Sequence, residues 1–80
     1  MSRNEIFDRM TEVFRDNFDD DSIVLTESTT SDDIEDWDSL EQINILVALE
    51  RVFSTKFSVN DVENLKNVGE MVDLIERHLA

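Results

Sequence analysis

The sequence contains no cysteine, no proline and only one glycine, and these gaps exclude several classes of protein. Without cysteine the chain cannot form disulfide bonds, thiolate metal sites or a cysteine nucleophile, which fits a reducing compartment. No apolar run approaches the length of a membrane-spanning helix, and the N-terminal segment lacks the apolar core of a signal peptide. We therefore expect a cytoplasmic protein that does not insert into membranes.

Basic residues are also scarce. The sequence has seven lysines and arginines and twenty aspartates and glutamates, which give a formal net charge of −13 at pH 7. Nucleic acids and anionic membranes would repel such a chain, so we expect neither as a partner. Residues 16–50 contain twelve acids and no lysine or arginine. This charge would steer basic partner surfaces toward one region of the molecule, or it serves only to keep the chain solvated.

Helical periodicity in three segments predicts an all-α fold. Apolar residues recur at helical spacing in segments 6–18 and 68–79, and segment 39–53 is rich in Ile, Leu and Val. A shorter segment, 58–65, has room for one or two turns, and no segment alternates as a strand does. We expect a small four-helix bundle with three longer helices and one short helix, and residues 1–80 should form a single domain.

Polar residues at the segment boundaries predict where two of these helices begin. Ser58, with Asp61 three residues later, should cap the short helix. Asn67, with Glu70 three residues later, should form a similar capping box at the start of the last helix.

The stretch from Asp19 to Asp38 has no helical period and predicts a long acidic loop between the first and second helices. A loop of about twenty residues is unusual in so small a domain and is often functional. Its acids should face water while four apolar residues anchor it to the bundle: Ile23, Leu25, Ile34 and Trp37.

Asp38-Ser39-Leu40 lies where the second long helix begins. The segment Ser39 to Gln42 matches a capping box, so the motif taken alone favours Ser39 as the cap, with its hydroxyl accepting the amide of Gln42. Alternatively Asp36 or Asp38 caps the helix, and the hydroxyl of Ser39 is then free. A phosphodiester on Ser39 would benefit from the positive end of the helix dipole, although the neighbouring acids oppose it.

A catalytic serine is not expected, because a nucleophile needs a base within hydrogen-bond reach and an oxyanion hole. The residues that flank Ser39 lack the glycines of a nucleophile elbow. The only histidine, His78, is close to the C-terminus, and we expect it to face water near a helix end.

The second long helix has more apolar residues than one buried face requires. On a helical wheel the core side comprises Ile45, Leu46, Leu49, Val52 and Phe53. The opposite, polar side comprises Glu41, Asn44, Ala48 and Arg51. Leu40 and Val47 lie along the margin of the polar side, with Ile43 and Glu50 beyond them. The apolar residues at this margin either widen the buried arc or form a semi-exposed strip rimmed by acids, as docking faces do.

The run Trp37-Asp38-Ser39-Leu40, followed by Ile43, Leu46, Leu49 and Phe53, resembles the acyl carrier proteins. In that family the Asp-Ser-Leu signature marks the site of phosphopantetheine attachment. The resemblance covers nearly the whole chain through its length, acidity, long loop and order of helices. It implies a non-catalytic carrier in which Ser39 receives phosphopantetheine from coenzyme A, through a transferase and magnesium, and acyl groups travel as thioesters on its thiol.

The resemblance also implies partners, namely a phosphopantetheinyl transferase and acyl-loading and acyl-processing enzymes with basic patches, which a monomeric carrier would visit in turn. Asp38, Glu41 and Glu50 would supply charge for docking, and Leu40 and Val47 would supply apolar contacts.

Two features differ from housekeeping fatty-acid carriers. Those carriers commonly have a Gly-x-Asp-Ser-Leu run, whereas this chain has Asp36-Trp37-Asp38-Ser39-Leu40. Asn44 and Arg51 also stand where those carriers usually keep acids. The chain is thus more similar to stand-alone carriers of specialised pathways, such as polyketide, modified-lipid or aminoacyl systems, than to the main carrier of fatty acid biosynthesis.

Two other functions compete with this interpretation. The acids Asp19, Asp20 and Asp21 suggest calcium binding, but the positions of an EF-hand loop that need glycine and glutamate hold Val24 and Thr30. We therefore expect no metal site. An acidic protein-interaction module without a prosthetic group is the remaining alternative, but it leaves Ser39 without a role.

Overall fold

The computed structural model describes residues 1–63 and 65–79. Four α-helices follow one another along this part of the chain: α1 (Arg3–Phe18), α2 (Ser39–Val52), α3 (Val59–Val62) and α4 (Val68–Leu79). One 3-10 turn lies in the α1–α2 loop at Ser31–Asp33, and none of the described residues forms a β-strand. The all-α architecture with three longer helices and one short helix confirms the predicted fold class. Within the described ranges, no helix combines the length and the apolar character needed to cross a membrane.

Reciprocal capping hydrogen bonds define where α1 and α3 begin. The hydroxyl of Ser2 accepts the amide of Glu5, and the carboxylate of Glu5 accepts the amide of Ser2, both at 3.2 Å. Ser58 and Asp61 form the same reciprocal pair at α3, as predicted. These bonds to the ionised carboxylates hold the pKa of Glu5 and of Asp61 below their ordinary values.

Asn67 caps α4 as predicted, because its Oδ1 accepts the amide of Glu70 at 2.9 Å. The expected capping box is wrong in one detail. The carboxylate of Glu70 accepts the amide of Lys66, at 3.2 Å, rather than that of Asn67. The side chain therefore reaches one residue further back and fixes the chain as it enters α4.

The hydrophobic core lies between α1, α2 and α4. Its fully buried side chains include Ile6, Met10, Phe14, Ile45, Leu49, Val68, Val72 and Ile75. On α2 the buried arc runs from Ile45 through Leu49 to Phe53, and Leu46 is half-buried at its edge. The prediction that Val52 belongs to the core is wrong, since 39% of Val52 is exposed. Val52 lies beyond the opposite edge of this arc, in the last turn of the helix.

The acidic loop is bound to the bundle along its length, as predicted. Ile23, Leu25 and Trp37 are buried, Ile34 packs against the core, and the Trp37 ring meets Phe14 edge-to-face with centroids 5.0 Å apart.

Backbone hydrogen bonds join the loop to the start of α4, because the amides of Val68 and Gly69 donate to the carbonyls of Thr29 and Glu27 at 2.8 and 2.9 Å. A Cβ at Gly69 would lie 2.7 Å from the Glu27 carbonyl oxygen, so glycine permits this close approach.

The prediction that His78 faces water is wrong. Its ring is half-buried, with Nε2 3.2 Å from the carboxylate of Asp61 and Nδ1 3.1 Å from the hydroxyl of Thr55. The ring also packs edge-to-face against Phe57, with centroids 5.3 Å apart. His78 thus ties the end of α4 to α3 and to the segment that precedes it.

Arg3 connects three parts of the fold. Its guanidinium donates two hydrogen bonds to Glu27 in the loop, at 2.6 and 2.9 Å, and one to Asp73 on α4 at 2.8 Å. It also contacts Glu76 on α4 and lies 5.7 Å from the ring centre of Phe7. Hydrogen bonding to Arg3 holds the pKa of Glu27 below its ordinary value.

Replacing Arg3 with glutamine should lower the melting temperature near neutral pH by a few degrees, and the loss should shrink in acid. Because the pKa of Glu27 is depressed in the folded state, its contribution to stability is complete above the ordinary glutamate value of about 4.5. The contribution is lost as the pH falls through the folded-state pKa. Thermal unfolding followed by circular dichroism between about pH 7 and pH 3 measures this change. Arg9→Gln, on the same helix, controls for the change in net charge, and an equal loss at every pH would contradict the prediction.

Candidate modification site and docking surface

The side chain of Asp38 caps α2, with its Oδ1 accepting the amide of Glu41 at 2.9 Å. The favoured prediction, that Ser39 is the cap, is therefore wrong, and the alternative with Asp38 is observed. The reason is a shift of one residue: Ser39 already belongs to the helix, and the carboxylate before it occupies the capping position. Trp37 supports this start, because its indole N–H donates to the side-chain oxygen of Gln42 at 2.6 Å.

Ser39 is the first residue of α2, and its side chain is exposed. Within residues 1–63 and 65–79 its hydroxyl has no hydrogen-bond partner, because Asp38 performs the capping. His78, the only histidine of the sequence, contacts Asp61 and Thr55 and does not act on Ser39 as a base. The described residues thus present an accessible hydroxyl at the positive end of a helix, without the groups that would make it a catalytic nucleophile.

Three apolar side chains on α2 face solvent next to this serine. Leu40 is 67% exposed, Ile43 is 59% exposed and Val47 is 44% exposed. We call these three residues the α2 strip. Their exposure excludes the interpretation that they widen the buried arc, because α2 packs through Ile45 and Leu49 on its other side. The strip extends from the helix start over about two turns.

The acids predicted to assist docking fall into two places. Asp38 caps α2 immediately before Ser39, and Glu41 lies in the first turn, where it accepts a hydrogen bond from the Asn44 amide group at 2.7 Å. Glu50 lies in the last turn, is half-buried and accepts the backbone amide of Phe57 at 2.8 Å. The structure therefore groups Asp38 and Glu41 with Ser39, and it places Glu50 about 14 Å along the helix from Glu41, the nearer of these two acids.

Two residues near the serine were not singled out as site residues from the sequence. Gln42 receives the Trp37 indole and so fixes the chain where it enters α2. Ile43 was placed beyond the margin of the polar side but is more exposed than Val47. The helical wheel contained the signal for Ile43, whereas the Gln42 contact depends on how the chain turns before Asp38.

The acidic loop binds its own backbone. Asp20 accepts both the amide and the hydroxyl of Ser22, at 2.9 and 2.5 Å, and these bonds hold its pKa below the ordinary value. Among the residues that the structure describes, no three His, Asp or Glu side chains are placed to hold a metal ion.

Comparison with known proteins identifies the family. Residues 8–75 match the family model described as a phosphopantetheine attachment site. The chain is 32% identical over 78 residues to an acyl carrier protein of Lactobacillus acidophilus, covering 98% of each. It is 33% identical over 75 residues to an acyl carrier protein of Clostridium perfringens, covering 91% of this chain and 96% of the other.

The fold is also similar to a solved structure of the same class. The solution NMR structure of a holo acyl carrier protein from Geobacter metallireducens superimposes with a TM-score of 0.85. The two sequences are 46% identical, and the match covers 91% of this chain and 84% of the other. The chain therefore belongs to the acyl carrier protein family, whose members are non-catalytic carriers of acyl groups on a phosphopantetheine prosthetic group.

Proposed function

We propose that Ser39 is the residue to which phosphopantetheine is attached. The observation that carries this proposal is that Ser39 has an exposed hydroxyl without a hydrogen-bond partner among the described residues, while Asp38 caps the helix in its place. A phosphodiester there would lie at the positive end of α2, where unpaired backbone amides favour negative charge. The hydroxyl thus fits the group, and it has no structural role that attachment would disrupt.

In the attachment step the hydroxyl oxygen of Ser39 forms a bond to the phosphorus that carries the pantetheine of coenzyme A. The pyrophosphate bond of coenzyme A breaks, and the adenosine bisphosphate leaves with the electron pair. The base that takes the serine proton, and the magnesium that neutralises the phosphates, belong to the transferase. Once attached, the group supplies a thiol for thioester formation, which a chain without cysteine cannot supply itself.

We further propose that the first turn of α2 and the α2 strip dock against the transferase and the acyl-loading and acyl-processing enzymes. Asp38 and Glu41 would face basic side chains of these partners, and Leu40 and Val47 would contact apolar ones. The exposure of both apolar residues beside Ser39 supports this assignment. Glu50 would add charge, although one of its oxygens is bound to the amide of Phe57.

We propose that residues 1–80 act as a single, monomeric, cytoplasmic domain that does not insert into membranes. We also propose that it has no nucleic-acid partner, because the net charge of −13 would repel nucleic acids. The acyl intermediates would belong to fatty-acid, polyketide or related specialised biosynthesis. Trp37 before Asp38, together with Asn44 and Arg51 on α2, supports a specialised pathway rather than the main fatty-acid route.

Intact-mass spectrometry after incubation with coenzyme A, magnesium and a broad-specificity phosphopantetheinyl transferase tests the proposal. We expect the apo protein to gain one phosphopantetheine, and peptide mapping should locate it on Ser39. Ser31 is an internal control, because it is also an exposed serine at the first position of a helical turn. It differs from Ser39 in its neighbours, since Thr30 caps the turn and an acid, Asp32, follows. Attachment at Ser31 would refute the site, and no gain on a folded apo protein would favour an acidic interaction module instead.

A further inference from the structure

Two basic residues at the C-terminal end of α2 line the same surface groove. Arg51 and Lys56 are the only lysine or arginine residues between positions 16 and 65. Both line an open groove of about 520 Å³ at the end of α2, together with Val47, Glu50, Ser54 and Thr55. In a chain with twenty acids, the only cations of this long segment are thus concentrated at one place.

The cations of this groove are available for an external partner. Arg51 and Lys56 are both exposed, and neither forms an ion pair with any residue in the described ranges. The one carboxylate in the groove, that of Glu50, accepts the amide of Phe57 at 2.8 Å. Among the described residues, two cations without an ion pair therefore accompany a carboxylate that is already held by the backbone.

The groove continues the α2 strip, because Val47 belongs to both. Ser39 and Arg51 are twelve residues apart on one helix, which corresponds to about 18 Å. Along that length the exposed face is acidic at Asp38 and Glu41, apolar in the middle, and basic at the end. The proposed docking face thus carries opposite charges at its two ends.

We propose that this groove receives a carboxylate side chain of the acyl-loading enzyme that docks on the α2 strip, an inference that rests on the proposed carrier function. A carboxylate suits the groove because Arg51 can bind it through two parallel N–H bonds while Lys56 adds a second charge. The matching enzyme surface carries basic residues near Ser39, an apolar centre and an aspartate or glutamate about 18 Å away. Docking in the reverse direction brings like charges together, so the two ends fix the orientation of the carrier.

The test uses the holo protein and its acyl-loading enzyme, taken from the same genome. It measures kcat/KM for the loading reaction. We expect Arg51→Glu combined with Lys56→Glu to lower kcat/KM by about tenfold or more, mainly through KM. The pair Arg9→Glu and Lys66→Glu changes the net charge equally outside the groove and should leave kcat/KM within about twofold. An enzyme surface that is basic throughout would instead load the Arg51 and Lys56 variant faster, and that result, or no change, would overturn the inference.

Further variants protect the test from effects on folding. Arg51 lies in the last turn of α2 and interacts favourably with the helix dipole, so its reversal weakens the helix. Lys56→Glu alone lies outside the helices and should still lower kcat/KM severalfold. Changing the facing carboxylate of the enzyme to lysine should restore loading of the reversed carrier. A wild-type protein that gains no phosphopantetheine refutes the proposed function itself, whereas normal loading of both wild type and variant refutes only this inference.

Discussion

Replacing Ser39 with alanine should abolish the attachment of phosphopantetheine and leave the melting temperature within about 3 °C of that of the wild type. The hydroxyl of Ser39 has no hydrogen-bond partner among the described residues, so its removal leaves no buried group unpaired. Alanine is also the best helix former and suits the first position of α2. Intact mass after incubation with the transferase and thermal unfolding of the same sample measure both parts of this prediction.

Asp38→Ala is the matched control, because it changes the neighbouring residue that does cap the helix. It should lower the free energy of unfolding by about 1 kcal/mol through loss of the bond to the Glu41 amide. That loss corresponds to a decrease of about 4–8 °C in the melting temperature of a domain of this size. The variant should still gain the prosthetic group on long incubation. If Ser39→Ala is as destabilised as Asp38→Ala, or is still modified, the assignment of roles at this helix start is wrong.

The sequence predicted the helices because each one carries its own local signals. Apolar spacing located α1, α2 and α4, and Ser58 with Asp61 located α3. Such signals identify the face of a helix that is buried, but they do not say how far its neighbours extend. Val52 and His78 were assigned wrongly for this reason, since the exposure of each depends on which other residues lie beside it.

Contacts between distant parts of the chain left no sequence pattern. Arg3 bonds to Glu27, Asp73 and Glu76, which are 24, 70 and 73 residues away. A wheel or a capping motif contains no information at that range. The same limit applies to the close approach of Gly69 to Glu27, which a single glycine in the sequence does not reveal.

The candidate site was predictable in its location but not in its details. Asp38-Ser39-Leu40 is evident from the sequence, yet a difference of one residue decides whether the serine caps the helix or presents a free hydroxyl. Both Ser39 and Asp38 are good capping residues, so propensity alone could not decide between them. The sequence also could not show whether the α2 strip is buried or exposed, because the width of the buried arc depends on how α2 packs.

At each end of α2 one residue forms a stabilising hydrogen bond, and the residue next to it is left exposed. At the start, Asp38 holds the helix and Ser39 is left accessible. At the end, Glu50 holds the following segment through the Phe57 amide, and Arg51 is left exposed. In each case the residue that stabilises the helix end adjoins the residue for which we propose a role toward a partner. A substitution at Ser39 can therefore alter the proposed function with little effect on the fold, whereas reversing the charge of Arg51 also weakens the C-terminal end of α2.

Replacing Phe14 with alanine should have the largest effect on stability in the chain. Phe14 is fully buried on α1, and it meets Trp37 edge-to-face and Phe18 at a centroid distance of 6.2 Å. Truncation of a buried phenylalanine costs about 3–5 kcal/mol, through lost burial and the cavity that remains. A domain of this length has a free energy of unfolding of about 4–12 kcal/mol, so the variant should lose a large part of it.

Urea denaturation of Phe14→Ala should therefore give a midpoint lower by about 2 M or more, or no folded baseline at all. Ile43→Ala is the control: it also truncates a large apolar side chain, but one that is 59% exposed, and should change the free energy of unfolding by less than about 0.5 kcal/mol. Because Trp37 immediately precedes Asp38, loss of the Phe14 contact should also loosen the chain where it enters α2, and tryptophan fluorescence reports this directly. A Phe14→Ala variant with the midpoint of the wild type would show that the loop and α1 do not depend on this contact.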